Sequence, residues 1–266
     1  MTVKIDNTAA AAPQVGLGAA DLVTEELVEG GLTRLAAMYY SEVPDLVGPV
    51  RSTRACDIGI VAPVDAALVA SGGAPVTLRR LEEAGVDVYA EGDPGFTRAD
   101  DRTAPYDVMN ELPALVDELA ETEPPAPYLP FGAAAVQDAR RATGFDVRFS
   151  AGHTTSWRFD GDGYARRGDI APEGDDFVAD TVLVLDVEIG DAGYDDPAGN
   201  PVPETIYEGT GPAMVFHDGT VVEGTWTKTS LAAALELEAD GDPFTVPPGN
   251  TWIELVPRKD GGVRLG

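Results

Sequence analysis

A proline-rich segment near the middle of the chain, ETEPPAPYLP at 121–130, most constrains how the chain can fold. Proline lacks a backbone N–H and has a fixed φ, so this segment can continue neither a helix nor a central strand. The residue pattern differs on its two sides. We therefore predict an α/β domain over 1–125, a proline-rich linker and connecting helix over 126–145, and a mostly β domain over 146–266.

The first half begins with patterns typical of strands. Residues 2–6 alternate polar and apolar side chains, as a half-buried strand does. The run DLVTEELVEGGLTRLAAMYYS from Asp21 predicts two strands joined by a hairpin at Gly30 and Gly31, because a tight turn needs residues that accept positive φ. A helix over 19–29 is the alternative.

Helices are expected further along the first half. Ser52 is a good N-cap for a helix over 53–62. Pro75 is suited to the first turn of a helix that reaches residues 84–85. The pattern also predicts a short buried strand at 67–70 and a helix over 111–121.

The second half reads as strands and turns. Its strand candidates are VRFSA, TTSWRFD, YARR, TVLVLDVEI at 181–189 and NTWIELVP, with a hairpin at Asp218 and Gly219. The expected fold class is therefore α/β in the broad, α+β sense, with a mostly β C-terminal region.

The chain carries 18 Lys and Arg against 46 Asp and Glu, a formal charge of −28. Such a surface repels phosphate, so neither nucleic acid nor an anionic membrane surface is expected as a partner. A GC-rich genome and adaptation to high salt both fit this acidity, and the composition does not separate them. No run approaches the roughly 18 apolar residues of a membrane helix, and residues 1–15 lack a signal-peptide pattern.

Residues suited to catalysis or metal binding are scarce. Cys56 is the single cysteine, so no intramolecular disulfide forms, and its apolar surroundings predict a small buried side chain. His153 lies beside Trp157 in a strand-like segment and is expected to be packed. DGDGY at 160–164 is typical of a hairpin turn, although Asp160 and Asp162 also suit calcium, as do Asp191, Asp195 and Asp196. We predict no catalytic residue, metal or cofactor from these patterns.

One polar string suggests an anion site. In VGPVRSTR at 47–54, Arg51 and Arg54 flank the predicted helix start, whose N–H groups favour a carboxylate, phosphate or sulfate. The alternative is that both guanidinium groups pair with internal acids, namely Glu25, Glu26 or Glu29.

Two turns are weaker candidates for the same site. Asp6 and Asn7 end the first strand, where a simple turn also explains them. Gly72 and Gly73 follow a predicted strand and precede a helix, a place where α/β folds bind ligands, although the turn itself also needs glycine.

Several longer strings resemble the YerB-like lipoprotein family, a bacterial family of unknown function. In the first half they are VKIDNTAAAAPQVGL, the segment from residue 20 to 54 that contains EELVEGGLTR and VGPVRSTR, the SGG at 71–73 and the Arg-Thr-Ala-Pro that begins at Arg102. In the second half they are GNPVPE, GTGPA, VFHDGTVVEGTW and PPGNTWIELVP. The resemblance covers nearly the whole chain.

The resemblance implies an extracytoplasmic protein, anchored by a lipid on a cysteine that this chain does not include, and a three-layer ββα arrangement. It carries no established reaction. The positions that match the family's polar motif are Asp6, Asn7, Glu25, Glu29, Gly30, Gly31, Arg34, Arg51, Ser52, Arg54, Gly72 and Gly73.

The chain departs from the family pattern at two positions. Tyr106 stands where the family tends to have histidine, and a phenol with a pKa of about 10 cannot replace a catalytic base at neutral pH. Ala12 stands where the family has arginine, which removes one basic group. The first departure weakens an enzymatic interpretation.

The leading hypothesis is a cell-surface binding or accessory protein of the bacterial envelope, with an anion-accepting cleft for a small anionic ligand or cell-wall fragment. A hydrolase of envelope polymers, using Glu25 or Glu29 with Asp6, and a purely structural lipoprotein are the alternatives. The candidate ligand-binding residues are Asp6, Asn7, Glu25, Glu29, Arg34, Arg51, Ser52, Arg54, Gly72, Gly73 and Arg102.

Overall fold

Two sheets and a few short helices make up the computed structural model, which describes residues 1–119, 126–132, 139–168 and 171–266. Within these ranges, the backbone is 42% strand and 11% helix. The predicted α+β class with a mostly β C-terminal region is confirmed. In the described part of the chain, no helix is both long and apolar enough to cross a bilayer.

The first half contributes short elements. Its strands are β1 (Thr2–Asp6), β2 (Leu22–Leu27), β3 (Thr33–Met38), β4 (Leu68–Val69), β5 (Val88–Tyr89), β6 (Phe96–Arg98) and β7 (Val108–Asn110). Its helices are α1 (Asp57–Val61), α2 (Pro75–Glu83) and α3 (Leu112–Val116), and 3-10 turns lie at Leu17–Ala19, Glu29–Gly31 and Ala62–Val64.

The second half contributes strands. They are β8 (Arg140–Arg141), β9 (Gly144–Arg148), β10 (Thr154–Phe159), β11 (Tyr164–Arg166), β12 (Val178–Ala179), β13 (Thr181–Asp195), β14 (Pro201–Ile206), β15 (Gly209–His217), β16 (Thr220–Lys228), β17 (Glu236–Ala239), β18 (Asp242–Pro243), β19 (Thr251–Pro257) and β20 (Gly262–Leu265).

The large sheet has 13 strands among the described residues and contains strands from both halves. Its main order is β18-β17-β16-β15-β13-β19-β2-β3-β1-β4-β5. The late strand β19 lies between β13 and β2 and is parallel to both. The two halves are therefore joined by backbone hydrogen bonds, and the domain boundaries at 125 and 146 stay predictions.

The small sheet, with the strand order β12-β11-β10-β9-β20, covers one face of the large sheet. Its Phe145 and Trp157 pack in one core with Val23 and Trp252 of the large sheet. A second core on the opposite face joins Ile60 of α1 and Leu81 of α2 to the large sheet. The ββα layering implied by the resemblance is present, and the second β layer comes from the C-terminal half.

Most predicted strands are confirmed. The hairpin alternative for residues 21–41 is correct, since β2 and β3 pair in antiparallel register around Gly30 and Gly31, both at positive φ. Asp218 and Gly219 also have positive φ between β15 and β16. The predicted strand at 181–189 is correct and extends to Asp195 as β13.

The helix predictions are confirmed only in part. The helix after Pro75 is correct, and the one over 111–121 is shorter, ending at Val116 as α3. The helix over 53–62 is wrong at its start, and Ser52 is not its N-cap, because α1 begins at Asp57 and Cys56 is the residue that precedes it. The side chain of Asp57 accepts hydrogen bonds from the Arg54 N–H and the Thr53 hydroxyl.

Residues 120–125, which include the start of the proline-rich segment, and residues 133–138 of the predicted linker lie outside the described residues. Of the region predicted as linker and connecting helix, residues 126–132 and 139–145 are described, and these contain no helix. In this described part, Arg140–Arg141 form β8 instead, which pairs with β16.

Candidate functional site

A cleft of about 220 Å³ opens where the end of β1 and the β2–β3 turn meet the loop before β7 and the β13–β14 turn. Both halves of the chain contribute to it. We call it the Arg51 cleft; it is lined by Asp6, Thr8, Val28, Glu29, Gly30, Leu32, Thr33, Arg34, Arg51, Tyr106, Asp196 and Asn200.

Arg51 is held at the wall of this cleft. Its Nε lies 2.9 Å from Asp6 Oδ2, and its Nη1 donates to the carbonyl of Pro105 at 3.0 Å. Its guanidinium also lies over the Tyr106 ring, 5.7 Å from the ring centre. The side chain remains 20% exposed, and Nη2 has no hydrogen-bond partner among the described residues. Arg51 can therefore still donate to a bound anion.

Glu29 joins two arginines at the inner wall. Arg34 Nη2 donates to Glu29 at 3.0 Å, and Arg54 donates to the same carboxylate through both Nε, at 3.1 Å, and Nη2. Burial disfavours the charged form of Glu29, but the two guanidinium groups outweigh burial and lower its pKa. Burial and the charge of Arg54 lower the pKa of Arg34 to about 10, so Arg34 stays charged at neutral pH.

Arg51 and Arg54 were both predicted to receive the anionic group of a ligand, and this prediction is wrong for Arg54. Arg54 does not line the Arg51 cleft, and its remaining Nη1 donates to the carbonyl of Thr53 at 2.7 Å. The helix also begins at Asp57, three residues after Arg54, so no helix terminus presents its N–H groups at this point. The alternative of internal pairing, which included Glu29, is correct for Arg54.

Sheet alternation separates the acids that were expected to work together. Glu25 lies opposite Leu35 of β3, in the core that faces the small sheet. Asp6 lies opposite Arg34, so its side chain belongs to the other face of the sheet. An acid–base pair of Glu25 with Asp6 is therefore wrong.

Glu25 instead belongs to an interior polar cluster of Asn7, Glu25, Thr33, His153 and Thr155. Its Oε1 lies 2.7 Å from His153 Nε2 and accepts from Asn7 Nδ2 and the Thr155 hydroxyl, both at 3.0 Å. Burial opposes ionisation of Glu25, but the hydrogen bond and charge of His153 outweigh it and lower the pKa. Thr33 contacts both this cluster and the Arg51 cleft.

Beside this cluster lie the buried carboxyl group of Glu254 and the partly buried guanidinium group of Arg166. Burial and the neighbouring Glu25 carboxylate raise the pKa of Glu254 well above its ordinary value, and Trp157 Nε1 donates to it at 2.7 Å. Arg166 donates to Asn7 at 3.1 Å and lies 4.5 Å from the Trp252 ring centre. Burial lowers the pKa of Arg166 to about 10, so it balances the ionised Glu25.

A third group, Lys4 with Glu26 and Asp57, is completely buried on the helix side. Lys4 Nζ donates to Glu26 at 2.5 Å and to Asp57 at 2.7 Å, and the Cys56 thiol donates to Glu26. Burial and the charge of Asp57 raise the pKa of Glu26 to about 7, although Lys4 opposes the shift. The ammonium of Lys4 takes the place that a cation would need, so these residues do not fit a metal site.

The remaining candidate residues have structural contacts instead. The carbonyl of Ser52 accepts from Arg34 Nη1 at 2.9 Å, and Arg102 donates to the carbonyls of Ala11 and Pro13. The carbonyl of Gly72 accepts from the Thr53 N–H, and a Cβ on Gly73 would lie 2.7 Å from Thr53. Of the predicted ligand-binding set, Asp6, Glu29, Arg34 and Arg51 line the Arg51 cleft, whereas Asn7, Glu25, Ser52, Arg54, Gly72, Gly73 and Arg102 do not.

Several important side chains were missed by sequence reasoning. His153 was expected only to pack, yet it bonds Glu25, and Thr155, Arg166 and Glu254 were not considered. One signal was available, because Glu25 and Glu26 are adjacent in an otherwise apolar strand. Adjacent strand residues point to opposite faces, so each face needed its own partner for a buried acid.

Comparisons with known proteins agree on one family. The model described as "Protein of unknown function (DUF3048) N-terminal domain" matches residues 1–125, and that of the C-terminal domain of the same family matches 145–253. "Putative lipoprotein YerB" of Bacillus subtilis (strain 168) is 27% identical over 277 residues, which cover 98% of this chain and 82% of that protein. The crystal structure of YerB from Bacillus subtilis has a TM-score of 0.81 at 24% identity, covers 99% of this chain and 93% of that one, and so shows the same fold.

Proposed function

Because the chain belongs to the DUF3048 family of unknown function, we propose that it is an extracytoplasmic binding or accessory protein of the bacterial envelope. The relative from Bacillus subtilis is named as a lipoprotein, which supports attachment at the cell surface through a lipid. The proposed ligand is a small anionic molecule or a cell-wall fragment that enters the Arg51 cleft.

The observation that carries this proposal is the position of Arg51. Asp6, Pro105 and Tyr106 fix its guanidinium, while one side of it still faces the cleft. A fixed guanidinium loses less conformational entropy on binding, and its unpaired Nη2 can donate charge-assisted hydrogen bonds to a carboxylate or phosphate. Arg51 is therefore proposed to receive the anionic group of the ligand.

The other walls of the cleft suit a ligand that also carries neutral or cationic polar groups. Thr8, Glu29 and Asn200 offer oxygen and amide groups beside the guanidinium. Sites for drug-sized ligands occupy about 300–1,000 Å³. The Arg51 cleft, at about 220 Å³, thus has room for only one portion of a larger ligand, about the size of one amino acid or one sugar. A wall fragment that carries peptide carboxylates on a sugar fits this description.

Binding is favoured over hydrolysis by the state of the acids in the cleft. Asp6 pairs with Arg51, and Glu29 pairs with Arg34 and Arg54, which lowers the pKa of Glu29. A general acid at neutral pH needs a raised pKa, so these pairings oppose that role. Tyr106, at the family's histidine position, lines the same wall.

Calorimetric titration with muramyl dipeptide, a sugar–peptide that carries one free carboxylate, tests the proposal, with uncharged N-acetylglucosamine as the matched probe. We expect the dipeptide to bind and R51Q to weaken it about tenfold or more, since the charged hydrogen bonds are lost. R148Q is the control, because exposed Arg148 does not line the cleft.

Three outcomes would contradict the proposal. Equal weakening by R51Q and R148Q would show a nonspecific charge effect. Release of product from the fragment would indicate a hydrolase. Absence of binding by a well-folded chain would favour a purely structural protein.

A further inference from the structure

A second concave region lies on the outer face of the small sheet. In β9 the side chains alternate, so Phe145 and Val147 face the core while Gly144 and Asp146 face outward. Arg158 of β10 lies opposite Gly144 in the antiparallel register. Because glycine has no side chain there, the sheet backbone forms the floor of a groove of about 460 Å³.

Three arginines, Arg141, Arg158 and Arg167, line this arginine groove. All three side chains are exposed, and among the described residues none of them forms a hydrogen bond or ion pair. The carboxylate side chain at the groove, Asp146, lies 2.5 Å from Arg264 and accepts from the Ser156 hydroxyl at 2.7 Å. Arg264 lowers the pKa of Asp146 most, and the charge of Arg167 also contributes, so Asp146 attracts Arg167 as well. Among the residues that the structure describes, the side chains that line the groove therefore include three arginines and one carboxylate, which is itself shared with Arg264, and they carry a net positive charge.

This arrangement is unusual in a chain with 46 acidic and 18 basic residues, where an arginine has many possible partners. Arg140, the neighbour of Arg141 in the chain, pairs with Glu223 in the same region. Three like charges directed at one groove repel each other, and an anion between them turns that repulsion into attraction. The groove thus has the electrostatics of an anion site.

We propose that the arginine groove binds a phosphate group. A phosphate has more acceptor oxygens and more charge than a carboxylate, so it can accept from several guanidinium groups at once. The net charge of −28 does not prevent this, because at physiological salt the field of remote carboxylates is screened beyond about 8 Å. The phosphate belongs either to a soluble compound or to the headgroup of an anionic phospholipid.

This site is independent of the Arg51 cleft, since the two share no lining residue. Calorimetric titration of the full chain with sodium pyrophosphate is the first test. We expect pyrophosphate to bind and R158Q to weaken it about tenfold or more. R79Q is the matched control. It removes the same charge, and Arg79 is exposed on α2 and does not line the groove. R51Q should also leave pyrophosphate binding unchanged.

Flotation with vesicles of phosphatidylglycerol and phosphatidylcholine distinguishes the two sources. If the chain floats with the vesicles, R158Q abolishes this flotation and R79Q does not, the groove is assigned to a lipid headgroup. Pyrophosphate binding without flotation assigns it to a soluble phosphate compound. Thermal unfolding checks that R158Q is folded, and R141Q replaces it if R158Q is not. Failure of both probes, or equal weakening by R158Q and R79Q, overturns the proposal.

Discussion

Glu25 and Glu26 show how strongly one residue's position in a strand decides its chemistry. The two are neighbours in β2 and both are completely buried. Glu25 faces His153 and has a lowered pKa, whereas Glu26 faces Lys4 and Asp57 and has a pKa raised to about 7. Identical side chains one residue apart thus differ in ionisation because alternation gives them different partners.

Lys4 is expected to be essential for stability. It is the cation that pairs with the buried carboxylates of Glu26 and Asp57, and all three side chains are fully buried. K4M leaves these acids without their cation, so we expect the free energy of unfolding to fall by about 3–5 kcal/mol. Urea denaturation at neutral pH measures this change.

Exposed Lys259 provides the control for that substitution. K259M removes the same charge without burying an unpaired acid, so its effect should stay within about 0.5 kcal/mol. Equal destabilisation by K4M and K259M would show that Lys4 acts only through net charge.

At the scale of elements, the β2–β3 turn connects the Arg51 cleft to the small sheet. Gly30 and Gly31 have φ of 70° and 72°, a region that side chains with a Cβ disfavour. Gly30 lines the cleft, and the carbonyl of Gly31 accepts from the Ser150 hydroxyl at 2.6 Å. The turn therefore fixes one wall of the cleft against the second layer.

The two glycines of this turn should differ in their tolerance of alanine. A Cβ on Gly30 meets its nearest atom at 4.0 Å, so G30A costs only the backbone strain, about 1 kcal/mol. A Cβ on Gly31 would lie 3.0 Å from Ser150 Oγ, so G31A also disturbs that hydrogen bond and should cost about 2 kcal/mol or more. Urea midpoints compare the two variants, and equal midpoints would contradict this assignment.

The sequence predicted elements better than it predicted the site. Strands such as 181–189 and both glycine-containing hairpins follow from alternation and turn chemistry, which are local properties. The family resemblance is confirmed by models that match both halves. The site depends on contacts between residues far apart in the chain. The pairing of Arg54 with Glu29 and of Glu25 with His153 arises from the packing of loops against the sheet, which spacing along the chain does not encode.

The start of α1 shows a more local failure. Serine is a residue type that often caps helices, and the pattern alone predicted Ser52 as the N-cap. In the structure, the backbone on both sides of Ser52 bonds to other segments instead: the Arg51 N–H donates to the carbonyl of Lys4 and the Thr53 N–H to that of Gly72. Tertiary hydrogen bonds thus delayed the helix until Asp57.

At the scale of the whole molecule, the two halves share one sheet. β19 supplies Trp252 to the core that Val23 of β2 shares with the small sheet. The linker interpretation rested on the change in residue pattern along the chain. It did not predict that the last long strand inserts beside the second one.

A fragment of residues 1–125 should therefore fail to fold cooperatively. It would leave the hydrogen-bonding edge of β2 open and expose the apolar face that the small sheet covers. We expect a thermal scan by circular dichroism to show no sigmoidal transition for the fragment, with the full chain as reference. A cooperative transition of the isolated fragment would contradict the shared-sheet view.

The central position of β19 also determines when the sheet can close during biosynthesis. A nascent chain that emerges from the ribosome or a translocon exposes β2 long before residues 251–257 are made. During that interval the open edge of β2 can pair with other extended chains, and aggregation competes with correct closure. Native closure must wait for nearly the complete polypeptide, so a holding chaperone that shields β2 in the nascent chain would raise the yield of native protein.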